Sequence, residues 1–137
     1  MRKILPNGWQ HASLLSGGVV IPVETNIKRE LLGRILKDSS ASLVFAQDIN
    51  QALDIEALCE DRPEIVVIEK FEAGGGSVIP LTSLTNGALT EEDFEDLKSR
   101  SEDIEPESPA FIFYTAKETG IPRGALFSHA RILRSLS

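Results

Sequence analysis

Three short apolar runs with almost no polar alternation constrain this chain more than any other feature. Residues 18–23, 42–46 and 64–69 are each long enough for a strand, and the first and third are rich in valine and isoleucine. A strand that is wet on one face alternates polar and apolar residues. Near-continuous apolarity therefore implies cover on both faces, as in a parallel sheet. Helical periodicity fills the intervals. Leu31, Leu32, Ile35 and Leu36 recur at helical spacing, with Asn26 the expected N-cap and Glu30 in the first turns. A second helix is expected over 49–58, with Asp48 as its cap and Ile49, Leu53 and Leu58 among its apolar positions. Strand–helix–strand–helix–strand is the pattern of a doubly wound α/β fold.

Past residue 70 the pattern loosens. Residues 71–87 hold Gly74-Gly75-Gly76, Pro80 and a Ser/Thr/Asn cluster, which reads as a loop with a short extended piece near Val78-Ile79. No Lys-Ser or Lys-Thr follows the glycines at P-loop spacing, so they read as a connector. Thr90 with Asp93 three residues later marks a helix start, and Phe94 and Leu97 supply its apolar positions. The acidic run from Glu91 to Glu107 reads as a solvated surface helix, and 101–109, with Pro106 and Pro109, as a linker into an extended chain.

With 137 residues, 42% of them hydrophobic and 26% charged, the chain is sized for one compact, folded domain, read here as a single unit over 1–137. A formal net charge of -7 argues against nucleic acid as a partner, because displacing its counterions needs a basic surface. Cys59 is the one cysteine, which excludes an internal disulfide, and it sits in an apolar stretch as a structural thiol would. His11 and His129 stand far apart, so no metal site is expected. No apolar run approaches the ~20 residues that span a bilayer. Pro6 and Asn7 interrupt the start too early for a signal peptide, so an intracellular protein without a transmembrane segment is expected.

The segment richest in chemistry is 109–125. An apolar strand, 111–114, enters a polar turn with two threonines, a glycine and two cations, and a second apolar piece follows at 125–127. Ser128 is placed to cap a helix holding Ile132, Leu133 and Leu136. Read from the residues alone, two interpretations stand side by side. Hydroxyls, free backbone N–H groups and an arginine can grip an anion. The same composition also makes an ordinary strand–turn–strand.

The segment resembles the phosphate loop of the adenylate-forming superfamily, whose pattern is Y-T-S-G-T-T-G-x-P-K-G. Tyr114, Thr115, Thr119, Gly120, Pro122 and Gly124 match, and Arg123 stands for the lysine. Upstream, 15–27 is similar to the early strand-to-helix segment of that superfamily, and 32–45 to its continuation. Thr25-Asn26-Ile27-Lys28-Arg29 and Ser128-His129-Ala130-Arg131 look most like the fatty-acid-transport-protein branch, the very-long-chain acyl-CoA synthetases.

The resemblance implies a partial doubly wound, mostly parallel sheet belonging to the N-terminal domain of an acyl-CoA synthetase. It implies fatty acid, ATP and coenzyme A as substrates, with Mg²⁺ accompanying the ATP. It also implies that Thr115, Thr119, Gly120, Arg123 and Gly124 contact nucleotide phosphates, and that no catalytic residue lies within this stretch. The alternative is a non-catalytic α/β binding module that keeps a degenerate form of the loop.

Three consecutive positions depart from the pattern. Ala116 deletes a hydroxyl, Lys117 replaces a glycine, and Glu118 replaces a threonine with a carboxylate. Two like charges about 4 Å apart repel by roughly 1 kcal/mol in water and about 4 at an effective dielectric of 20. Weakened or absent ATP binding is the expectation. Members of the superfamily are several times longer, so the chain is expected to be inactive alone and to self-associate through an uncovered sheet edge. The branch it resembles is membrane-associated.

Overall fold

The β-rich runs and amphipathic stretches of the sequence resolve, in a computed structural model, into the strands and helices given below. Described are residues 12–24, 26–72, 77–116 and 121–137. The chain divides into two compact units, Ile27–Ala88 and Met1–Asn26 with Leu89–Ser137.

Ile27–Ala88 is built from α1 (Arg29–Ser39), β1 (Leu43–Ala46), α2 (Ile49–Leu58), β2 (Glu64–Val67), β3 (Val78–Pro80) and α3 (Leu81–Thr85). The strands form one sheet in the order β1-β2-β3, parallel throughout, with Val44 opposite Ile65 and Ile65 opposite Val78. Burial rises to completion along β2, where Ile65, Val66 and Val67 are all buried, as near-continuous apolarity predicts. Ala46, Ala52, Ile55, Ile65 and Val67 form the core, with Leu32, Leu36, Ile49 and Phe71 packed around it.

Local signals explain α2 better than α1. Asp48 accepts a hydrogen bond from the Gln51 amide at 2.9 Å, as expected of a cap. In α1 the expected cap is corrected: Lys28, two residues beyond Asn26, holds the N-cap position with no side-chain bond, and the helix begins at Arg29. Its far end closes on Ser40 in the left-handed region, at φ 49°. Within 71–87, the extended piece expected near Val78-Ile79 is present as β3. Val78–Pro80 pairs with β2, and α3 follows directly. Cys59 packs against the core, and burial, then the Asp61 carboxylate, push its thiol up from its ordinary range. It is a structural thiol.

The other unit contains α4 (Glu91–Glu102), β4 (Pro109–Ala116), β5 (Pro122–Ser128) and α5 (His129–Leu136). β4 and β5 pair antiparallel and form a sheet of their own. Residues 18–23, expected as a strand, contribute a single parallel bridge, Val20 with Phe111. The Val20 amide donates to the Ala110 carbonyl at 2.9 Å, and the Ile112 amide to the Val20 carbonyl at 3.0 Å. Before it, residues 12–15 are helical and end in a Schellman closure. The Gly18 amide reaches the Ser13 carbonyl at 2.8 Å and the Gly17 amide reaches Leu14 at 3.1 Å, with Gly17 at φ 84°. α4 buries none of its residues, and Phe94 and Leu97 are exposed on it. Its start is a full capping box between Thr90 and Asp93.

Candidate nucleotide-phosphate site

β4 and β5 carry the residues that the sequence singles out. Aromatic and β-branched side chains at 111–115 favour extended backbone, and Pro122 opens β5 at its first residue, where a missing N–H does least harm. The register sets Ala116 opposite Pro122, Thr115 opposite Arg123 and Tyr114 opposite Gly124. Thr115 and Arg123, eight positions apart in the chain, thus become direct neighbours at the end of the ladder that leads into the turn. Both are exposed. Thr119 and Gly120, together with Lys117 and Glu118, lie outside the described residues.

Side chains alternate across a strand, so Thr115 and Arg123 share a face with Phe111, Phe113 and Phe127. That face is aromatic. Phe111 and Phe113 stack with centroids 5.4 Å apart, and Phe113 meets Phe127 edge-on at 5.2 Å. The Arg131 guanidinium sits 4.5 Å from the centre of the Phe127 ring. Tyr114 belongs to the opposite face, beside Ile112. A Cβ on Gly124 would stand 2.9 Å from Ile112 Cγ2 and 3.1 Å from Tyr114 Cε1 and Cζ. Gly124 thus faces a tyrosine ring across the ladder.

The base of the hairpin is tied down by backbone. Ala110 is the extra residue of a bulge, since the register jumps between Pro109 and Phe111. The His129 amide donates to the Ser108 carbonyl at 3.1 Å, and the Ala130 amide to Pro106 at 2.7 Å. Ser128 caps α5 as expected, accepting from the Arg131 amide at 3.2 Å. A groove of about 370 Å³ lies at this base, lined by Glu107, Pro109, Leu126, Ser128, Arg131 and Arg134. Arg134 and Glu107 pair across it at 3.5 Å, both well exposed, so the pair contributes little. Sequence reasoning missed Arg131 as a ring partner. Its spacing of four from Phe127 carried no signal, because the two residues belong to different elements.

Among the described residues, Thr115 and Arg123 set a hydroxyl and a guanidinium side by side, donors of the kind that suit an anion. Among the described residues no group of three or more His, Cys, Asp or Glu could hold a metal ion.

The sequence pattern of the AMP-binding enzyme family matches residues 9–137. The chain belongs to that family. Among curated AMP-binding relatives, polyketide synthase PksN of Bacillus subtilis is 30% identical over 124 residues, which is 90% of this chain and 2% of PksN. The sulfoacetate–CoA ligase of Cupriavidus necator is 30% identical over 135 residues, 94% of this chain and 24% of the ligase. The chain therefore spans a quarter or less of the length of these relatives. Among solved structures, VinN superposes with a TM-score of 0.63 at 20% identity, covering 93% of this chain and 29% of VinN. At that identity the likeness establishes the fold: mixed α/β with a parallel sheet, as in the N-terminal domain of adenylate-forming enzymes.

Proposed function

We propose that this AMP-binding chain supplies the phosphate-gripping turn of an ATP-dependent acid–thiol ligase, with Thr115, Thr119, Gly120, Arg123 and Gly124 around the β- and γ-phosphates. The observation that carries the reading is the cross-strand pairing of Thr115 with Arg123 at the mouth of the β4–β5 turn. In the first half-reaction a carboxylate oxygen bonds to the α-phosphorus of ATP while the bond to the bridging oxygen breaks. Acyl-adenylate forms and pyrophosphate leaves with the bond electrons. In the second, a thiol attacks the acyl carbon and AMP departs. Charge shifts toward pyrophosphate in the first step, and donors fixed in advance around that oxygen cluster lower the barrier. The described residues offer no metal cage, so Mg²⁺ is read here as arriving with ATP, and no step is assigned to it.

The finer reading is a fatty acid as substrate and coenzyme A as thiol, in the very-long-chain branch and inside the cell, where ATP and coenzyme A are found. It rests on residues 25–29 and 128–131. A protein carrying this segment is expected to exchange pyrophosphate into ATP with long-chain acids and not with short ones. For the turn itself, calorimetric titration of the chain with ATP·Mg²⁺ is expected to give a measurable heat that Arg123→Ala abolishes. Equal binding by wild type and variant would refute the assignment. Leu126, Leu133 and Leu136 are 57%, 67% and 78% exposed, and on that ground we read the chain as self-associating. A concentration-independent monomer in sedimentation would count against it.

A further inference from the structure

We infer that Tyr114 is a positioning residue for the Thr115–Arg123 pair, its ring seated in the space that Gly124 leaves by having no side chain. The inference rests on the phosphate reading above and assigns Gly124 a different task from ligand contact. Gly124 is not a glycine by conformational need, since its backbone lies outside the left-handed region. Space is the reason. Adjacent ring atoms Cε1 and Cζ of Tyr114 both stand 3.1 Å from where a Cβ would be, and Ile112 Cγ2 stands at 2.9 Å. Tyr114 and Gly124 are direct cross-strand partners, one step from the Thr115–Arg123 pair toward the hairpin base. An aromatic ring laid over a cross-strand glycine replaces the packing the glycine lacks and resists sliding of one strand along the other. Slippage by one residue would send Arg123 to the opposite face. Tyr114 thus keeps the hydroxyl of Thr115 and the guanidinium of Arg123 on one side, without touching the ligand itself.

Two measurements on the whole chain test this. Tyr114 is the sole tyrosine, so its ring signals in an NMR spectrum are unambiguous. The Gly124 Hα resonances are expected well upfield of ordinary glycine values, to stay there in Tyr114→Phe and to return to ordinary values in Tyr114→Leu. Ordinary shifts in the wild type would overturn the inference. In the second, ATP·Mg²⁺ is titrated well below each variant's melting temperature. Gly124→Ala and Tyr114→Leu are expected to weaken binding about tenfold, while Tyr114→Phe stays within about twofold. A purely structural ring would lower the melting temperature and leave affinity intact, which would refute a positioning role. If Arg123→Ala abolishes binding and Gly124→Ala does not weaken it, the inference fails and the phosphate reading stands. If the wild type gives no heat, the phosphate reading fails, and the positioning role fails with it even where the ring-current shift is present.

Discussion

Ile55 and Leu53 sit two residues apart on α2 and should behave oppositely when truncated. Ile55 is 3% exposed and belongs to the core with Ala46, Ala52, Ile65 and Val67, whereas Leu53 is 51% exposed. Ile55→Ala removes three buried carbons and leaves a cavity beside β2, a change that costs about 2–5 kcal/mol. The better helix propensity of alanine returns roughly 0.4 kcal/mol. The net loss of about 2–4 kcal/mol translates, for a unit of this size, to a fall in melting temperature of roughly 10–25 °C. Leu53→Ala gives up half-wet surface and should cost under about 1 kcal/mol. Thermal melting followed by circular dichroism measures both, and amide exchange at Val66 and Val67 localises the effect to β2. Equal shifts for the two variants, or a larger one for Leu53→Ala, would refute the packing of α2 described above.

Other consequences are as direct. The Thr90 amide, and then its hydroxyl, hold the Asp93 carboxyl below the usual carboxylate range. A lowered folded value means the contribution is present at neutral pH and is lost as pH falls through it. The first turn of α4 should therefore fray only at pH below the ordinary aspartate range, read from the Thr90 amide shift, and Asp93→Asn should remove that transition. Ser40→Gly relieves a left-handed backbone at φ 49° and should stabilise by about 0.5–1 kcal/mol in urea unfolding, the gain offset in part by the freer unfolded chain. Cys59 should react slowly with a thiol reagent at pH 7 and speed up only at more alkaline pH than a free cysteine, because its thiol is pushed up. Rapid labelling at neutral pH would contradict its place beside the core.

What could be read from the sequence was what local chemistry dictates. Asp48, Thr90 with Asp93, and Ser128 each start a helix within three residues of themselves, so neighbours alone suffice to recognise them. β1 and β2 announce themselves because both faces are covered. β3 announces itself only as a short extended piece near Val78-Ile79, since Val78–Pro80 takes its strand pairing from β2, more than ten residues earlier. Residues 18–23 have a strand's composition but meet one partner, at Val20. Lys28 takes the N-cap position of α1 with no side-chain bond, while Leu32 and Leu36 pack against the core and Ile35 is buried. At the candidate site the motif named Thr115, Arg123 and Gly124, yet the pairing that gives each its role is a matter of register. Only a folded ladder shows that Gly124 answers to Tyr114.

The two backbone links from α5 to Ser108 and Pro106 have a mechanical consequence. Tension applied through α5 meets these anchors before it reaches β5, so it is diverted into the chain entering β4 and bypasses the turn. A load path of that kind would swing the β4–β5 ladder as one lever about its base and keep Thr115 opposite Arg123.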